Sequence, residues 1–316
     1  MQFTVLNKYL LLTPMLVTGL AYASVKQTYE EAFASSIVLS DSDAVRFGFG
    51  NFDPISIFEP FDYDKEQSLD LRKRLEVFVL PYTFERSEDA RINTHFSYIT
   101  RSQEFAFNDL SLPDTSYDQL FNFYSGYETK LYQFDDWLLE GSLGVHLMHY
   151  DNLHDYNGPE SLARKPMVEG IIYNTQANSL ISEVDLTFSR KKERKWGHWL
   201  VKSNYNYFFG KGFGGDNITR DATPSGWYFD NSISANIKLD QTLKHTESIY
   251  LKLQRVDLGG DAHYAFNTGH YYEYGGGLLI DTRPWTSWFD NIGIGLHYNE
   301  GSVLSGGSIV IYFNEE

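Results

Sequence analysis

From Ile37 to Phe313 the chain alternates apolar and polar residues one for one, in segments long enough to cross a membrane as tilted strands. Trp199, Val201 and Tyr205, for example, are separated by polar residues such as Lys202 and Asn204. Because neighbouring side chains of a strand point to opposite faces, each set of residues occupies its own face. Lipid outside and a polar lumen inside satisfy both faces, so the pattern predicts an all-β, transmembrane, antiparallel up-and-down β-barrel in an outer membrane.

The alternation delimits about twelve strands, and bacterial single-chain barrels have an even number. The predicted spans are 37–50, 75–84, 90–101, 118–131, 136–150, 178–190, 198–209, 226–239, 246–257, 270–281, 287–299 and 304–313. Residues 164–178 fit a loop helix, an early start of the sixth strand or an additional strand. We favour a loop there, because another strand would upset the parity of the count.

The connections alternate strictly between long and short, except for a brief last loop. Long connections of such barrels face the outside and short turns face the periplasm. The alternation therefore places both chain ends on the periplasmic side.

The first residues have the pattern of an export signal. Lys8 precedes an apolar run that ends at Leu20, and Ala21 and Ala23 give the small-x-small pattern before a cut at Ser24. We expect export through the Sec machinery, cleavage before Ser24 and delivery to the Gram-negative outer membrane. No later segment is apolar enough for a membrane helix.

The bulk composition excludes several classes of protein. A net charge of −16 argues against a nucleic-acid partner, and the absence of cysteine excludes a disulfide framework. Aromatic residues make up 16% of the chain, which suits the interfacial girdles of a barrel. The alternative of a soluble secreted β-sandwich is disfavoured, because its strands are typically about 5–6 residues long.

Charged residues of both signs are predicted on the lumen face, where they either pair with one another in water or grip an inserted segment. Ser24–Ala34 is a candidate for such a segment, because Val25, Tyr29 and Phe33 are spaced four apart on one helical face. A frayed periplasmic tail is the alternative. The predicted lumen residues are Arg91, His95, Arg101, Glu128, Lys130, Glu140, His146, Glu183, Asp185, Lys202, Asp230, Lys238, Lys252, Glu273 and His297.

Motifs for catalysis are weak. His95 and Ser97 share a strand face, but that face is the lumen, whereas a lipid-cleaving site must face outward. An omptin-type protease needs acidic and His groups at the outer rim, where His149, Asp151, His154 and Asp155 fall, although exposed loops collect such residues anyway. The glycine-rich stretch 210–215 lacks the order of a phosphate-binding loop. We expect no catalysis, no cofactor and no metal.

Two further features concern partners. The basic run 190–195 would meet lipopolysaccharide phosphates on the outer side, but the alternation places it in a solvated periplasmic turn. Ile309, Ile311 and Phe313 alternate outward, like the C-terminal pattern that the barrel assembly machinery recognises, although three residues follow the aromatic one. The expected partners are outer-membrane lipid and lipopolysaccharide, and the export and assembly machineries. The oligomeric state stays open.

The architecture, the length and the Phe33–Gly50 opening (FASSIVLSDSDAVRFGFG) resemble the solitary autotransporter-type barrels of Gram-negative bacteria. The resemblance implies residues 1–23 as signal peptide, 24–36 as a short N-terminal segment with no room for a passenger, and 37–316 as the barrel. It implies a structural, surface or pore role without catalysis. A narrow monomeric porin and a barrel enzyme of the phospholipase or omptin type are the alternatives.

Overall fold

A computed structural model describes residues 12–41, 51–52, 75–105, 112–215, 219–239, 247–286, 289–313 and 315. Helix α1 (Leu12–Asp41) precedes the sheet, α2 (Pro159–Val168) lies between the fifth and sixth strands, and α3 (Asp261–Phe266) lies between the ninth and tenth. The strands are β1 (Asn51–Phe52), β2 (Leu75–Ser87), β3 (Ala90–Phe105), β4 (Asp114–Phe134), β5 (Trp137–Asp155), β6 (Gln176–Arg194), β7 (Gly197–Gly212), β8 (Ser225–Lys238), β9 (Glu247–Gly260), β10 (His270–Asp281), β11 (Asn291–Glu300) and β12 (Gly306–Phe313).

The strands form one curled antiparallel sheet in which β2 to β12 are paired in chain order, each with the next. The two-residue β1 pairs with β12 at the other edge, through Asn51 opposite Ser308 and Phe52 opposite Gly307. The connections on one side of the sheet include the two-residue turns after β2, β4 and β6, and those after β5 and β7 on the other side are longer. The predicted strict alternation fails after β8, because residues 282–290 between β10 and β11 are as many as residues 261–269 between β9 and β10. The predicted up-and-down, all-β barrel architecture is confirmed.

The eleven strands from β2 to β12 coincide with predicted ones, but several are longer at the end that carries the long connections. β4 begins at Asp114 and β5 continues to Asp155, because the ladder continues to the pair Thr115–Asp155 beyond the expected span. β11 instead begins late, at Asn291. Thr282 instead bonds to residues of the connection: its N–H donates to the Asp290 carbonyl at 2.9 Å, and its carbonyl accepts the Trp285 N–H at 2.8 Å.

The predicted first strand, 37–50, is wrong over 37–41, because α1 continues without a break to Asp41. Ile37 lies one further step along the series Val25, Tyr29, Phe33, so burial on the helical period outweighs the strand propensity of an Ile-Val-Leu run. The helix therefore also crosses the predicted segment boundary at 36/37. Residues 42–50 lie outside the described residues. For 164–178 the loop interpretation is confirmed, since α2 ends at Val168 and β6 begins at Gln176.

The two faces of the sheet differ in burial. On β5, Leu143, Val145 and Leu147 are 43–63% exposed, whereas His146 and Met148 between and beside them are 1% exposed. The exposed set is apolar and forms the outer face, and the buried set forms the inner face that α1 covers. No helix within the described ranges is long and apolar enough to span a bilayer.

Candidate functional site

The inner face of the sheet is occupied by α1. Val25, Tyr29, Phe33 and Ile37 are 8%, 3%, 0% and 2% exposed. They recur every four residues and so form one helical face. The helix predicted from the spacing of Val25, Tyr29 and Phe33 is confirmed, and the alternative of a frayed tail is wrong.

Toward its C-terminal end α1 is buried on more than one side. Ser36, Val38 and Ser40 are at most 2% exposed. The Ser40 hydroxyl lies 2.7 Å from the carbonyl oxygen of Ser36 and 2.8 Å from the hydroxyl of Ser97 on β3. The polar side chains at this end of α1 thus have hydrogen-bond partners in the helix itself and in the strands around it, which are called the wall below.

The middle of α1, residues 26–30, lies at the end of the sheet with the long connections. The Glu30 carboxylate accepts a hydrogen bond from the backbone N–H of Thr223 at 2.6 Å, and Lys26 lies 3.3 Å from Glu30. Tyr29 bonds with Thr175 and packs edge-on against Tyr150 at 5.4 Å between ring centroids. The prediction that both chain ends lie on the short-turn side is therefore wrong for this segment, because its polar partners are in the long connections.

Helix α3 contributes to the same contact. Its Ala262 and Phe266 are buried in the cluster that contains Phe33. The Asp261 carboxylate accepts the Ser225 N–H at 2.7 Å. Burial raises the pKa of Asp261, and the charges of Glu30 and Glu31 raise it further. The helix and this connection therefore hold three carboxyl groups near one another.

Six of the predicted lumen residues are buried on the inner face: His146, Glu183, Asp185, Asp230, Glu273 and His297. The others are partly or largely exposed, at positions of their strands that the period of two assigns to the same face. Near the short turns they form ion pairs. Arg91 contacts Glu128 directly and lies 3.5 Å from Glu140, and Lys130 lies 3.1 Å from Asp89. Paired charges therefore line this end.

A second group lies midway along the wall. His146 Nδ1 is 3.1 Å from the Asn122 side-chain oxygen, and His146 Nε2 is 3.3 Å from a Glu183 carboxylate oxygen. The ring of Tyr124 lies 4.8 Å from that of His95 and 4.6 Å from that of His146. Glu183 and His146 are 5% and 1% exposed, so this group is closed to solvent.

The remaining predicted lumen residues lie on other strands of the inner face: Asp185, Lys202, Asp230, Lys238, Lys252, Glu273 and His297. Glu273 and His297 are 0% and 1% exposed. The His297 ring lies against Gly275, where a Cβ atom would stand 2.2 Å from Nε2. The run Gly275–Gly277 thus admits bulky rings from β11 and β12, a role that sequence analysis missed.

Sequence analysis also missed the group around Asp118. Its carboxylate accepts hydrogen bonds from Arg101 at 2.6 Å, from the Tyr150 hydroxyl at 2.6 Å and from the Asn152 amide at 2.6 Å. Arg101 was among the predicted lumen residues. The sequence does carry a signal for this group. Asp118 shares the inner face of β4 with Glu128, and Tyr150 and Asn152 share that of β5 with His146.

The residues considered for catalysis are separated or closed. Ser97 is 0% exposed and faces Ser40 of α1, away from lipid. At the rim, His149 bonds to Asn178 on the outer face, whereas the buried His154 lies 3.4 Å from Asp114 on the inner face. Across the described ranges, no cluster of three or more His, Cys, Asp or Glu side chains is arranged to hold a metal ion.

The basic run 190–195 is not a solvated turn. β6 continues to Arg194, and only Lys195 and Trp196 form the turn to β7. The strand ladder reaches the pair Arg194–Gly197, so the basic residues alternate between the two faces. In the last strand, Val310 and Tyr312 are buried, whereas Ile309, Ile311 and Phe313 are partly exposed and lie on the outer face.

One of three comparisons with known proteins, the match to a family model, agrees with this architecture. A family model described as "Solitary outer membrane autotransporter beta-barrel domain" matches residues 30–315. No curated protein matches the chain. Among solved structures, LpxR from Salmonella typhimurium aligns at 9% identity with a TM-score of 0.39, covering 77% of this chain and 88% of that one.

Proposed function

The chain belongs to the solitary outer membrane autotransporter β-barrel family, and on that premise we propose that it is a barrel closed by its own N-terminal helix. In this account it has a structural or surface role and neither conducts solutes freely nor carries out catalysis. Its location is the outer membrane. The proposal includes a mature chain that begins at Ser24 after signal cleavage, and assembly through the machinery that inserts barrels.

One observation supports closure above all others. Phe33 and Ala34 of α1 are 0% exposed, so the helix is packed against the wall on the side where an open channel needs water. Fully burying a Phe side chain is worth roughly 1.5–3 kcal/mol, and several neighbouring residues of α1 add to it. A helix held in this way does not leave the lumen spontaneously on a short timescale.

Conductance across a planar bilayer tests the proposal. The refolded wild-type protein is expected to give no stable current, and a variant that lacks residues 24–41 is expected to give steady open currents. Gln27→Ala, at an exposed position of the same helix, is the matched control and should stay silent. Folding of each variant is checked by its faster gel migration before boiling.

Two outcomes would overturn the proposal. Steady currents through the wild-type protein would favour the narrow porin alternative. Silence of the folded deletion variant would show that something other than α1 closes the lumen.

A further inference from the structure

The outer face of the sheet carries a basic cluster at its short-turn end, formed by Arg190, Lys192 and Arg194 on alternate positions of β6. Arg190 and Lys192 both contact the carboxylate of Asp136 in the β4–β5 turn, Arg190 at 3.3 Å. Their side chains are 30% and 33% exposed. Asp136 is the carboxylate that Arg190 and Lys192 contact, and Asp135 precedes it in the turn. Three cations against these two carboxylates leave this surface with a net positive charge.

Aromatic rings hold Arg190 in place. Its guanidinium carbon lies 5.4 Å from the ring centroid of Trp137 and 6.0 Å from that of Trp199. Trp137 in turn stacks on Phe188, with centroids 4.5 Å apart and ring planes within 2°. Within the part of the chain that the structure describes, Arg190 Nε is buried without a hydrogen-bond partner. The rings and the Asp136 carboxylate thus fix the position of the Arg190 guanidinium.

The position of the cluster along the strand indicates what surrounds it. On the same face of β6, the residues toward the middle of the sheet are Phe188, Leu186 and Val184, at 44%, 47% and 42% exposure. Exposed apolar side chains of a barrel face acyl chains, and Trp and basic residues concentrate where the headgroups begin. The basic cluster therefore lies at headgroup level.

We propose that the basic cluster binds the phosphate of an anionic glycerophospholipid in the periplasmic leaflet of the outer membrane, with its acyl chains against Phe188 and Leu186. Short turns of such barrels face the periplasm, which assigns the site to that leaflet. Arg190 and Lys192 are both cationic hydrogen-bond donors, the type of group that binds phosphate oxygens most strongly. A zwitterionic headgroup carries a positive charge of its own, so the basic cluster attracts it less strongly than an anionic headgroup.

Native mass spectrometry of the folded, detergent-purified protein tests the site with phosphatidylglycerol and phosphatidylcholine as probes. We expect the wild type to prefer phosphatidylglycerol. Arg190→Gln combined with Lys192→Gln should weaken phosphatidylglycerol binding about tenfold or more, since each basic residue near a lipid surface contributes substantially to anion attraction. Arg255→Gln, also on the outer face but at the long-connection end and bonded to Asp257, should leave the preference unchanged.

A variant that is expected to tighten binding separates the proposal from a folding defect, because a folding defect would weaken binding. Asp136→Asn removes the carboxylate that Arg190 and Lys192 contact and should tighten phosphatidylglycerol binding by severalfold. Retained preference in the double Gln variant, or an equal loss in Arg255→Gln, would overturn the proposal. So would preferential binding of lipid A phosphate that the double Gln variant abolishes, because it would assign the cluster to the opposite leaflet.

Discussion

The two ends of the inner surface are built differently. Toward the long connections the wall meets α1 through buried apolar side chains such as Ile99, Tyr150 and Phe208. Toward the short turns, β3, β4 and β5 present charged side chains that pair with each other, such as Arg91 with Glu128. The two ends share one strand pattern and one antiparallel ladder.

The difference shows that alternation alone does not determine what fills a barrel. Where a helix occupies the lumen, apolar inner residues are favoured because they bury surface against it. Where no apolar partner is at hand, a charge-lined wall is stable only if the charges are paired or solvated. Apolar inner residues away from α1 bury one another instead, as Tyr250, Leu279, Val310 and Tyr312 do in a second cluster.

The largest effect is expected where the helix is most enclosed. Phe33→Ala should lower the free energy of unfolding in lipid vesicles by about 3–5 kcal/mol, the range for Phe in a packed core. It should also increase proteolysis near residue 33. Denaturant titration of the folded protein measures it, with Gln27→Ala as control. A loss below about 1 kcal/mol would show that the helix end of the lumen is not a packed core.

A comparison of the two faces should give the next effect. Ile233, 50% exposed on the outer face, and Ser234, 7% exposed on the inner face, are neighbours on β8. Ile233→Arg is expected to cost roughly 2–4 kcal/mol in vesicles, as for arginine at a lipid-facing midplane site. Ser234→Arg should cost less, because polar groups surround it. Equal penalties at the two positions would mean that the faces are misassigned.

A smaller effect is expected at the charged end of the lumen. Arg91→Ala should cost about 1 kcal/mol or less, because the side chain is 35% exposed and water screens its ion pairs. A double-mutant cycle with Glu128→Ala isolates the pair, and added salt should shrink the coupling. A loss as large as that of Phe33→Ala would erase the difference between the two ends.

The smallest effect depends on pH and concerns Asp261. Its pKa in the folded protein is raised, so folding favours the protonated carboxyl, and docking of α1 should weaken as pH rises from the unfolded value through the folded one. Glu30, Glu31 and Lys26 are the charges that act on it from α1. Asp261→Asn should remove part of this dependence. Hydrogen exchange of residues 25–32, corrected for intrinsic rates, measures it, and an unchanged pH profile in the variant would contradict the assignment.

The sequence was sufficient for most of the wall. A period of two assigns His146 inward and Leu147 outward without tertiary information, and it places β2 to β12 correctly. It was insufficient at Ile37–Leu39, where a short apolar run suits a strand or a buried helix equally and only the lumen contacts decide. The hydrogen bonds to Asp118 were missed for a related reason, since they depend on the register of strands β3, β4 and β5.

A disulfide cross-link tests the central claim, that α1 lies in the lumen against β3. The chain has no cysteine, so Ser40→Cys with Ser97→Cys introduces a single pair at positions whose hydroxyl oxygens are 2.8 Å apart. Phe96→Cys in place of Ser97→Cys is the matched control, because Phe96 is the neighbouring residue on the outer face. Under mild oxidation in outer-membrane preparations, the account predicts a rapid cross-link in the first pair and none in the second. No cross-link in the first pair, or equal cross-linking in both, would contradict it.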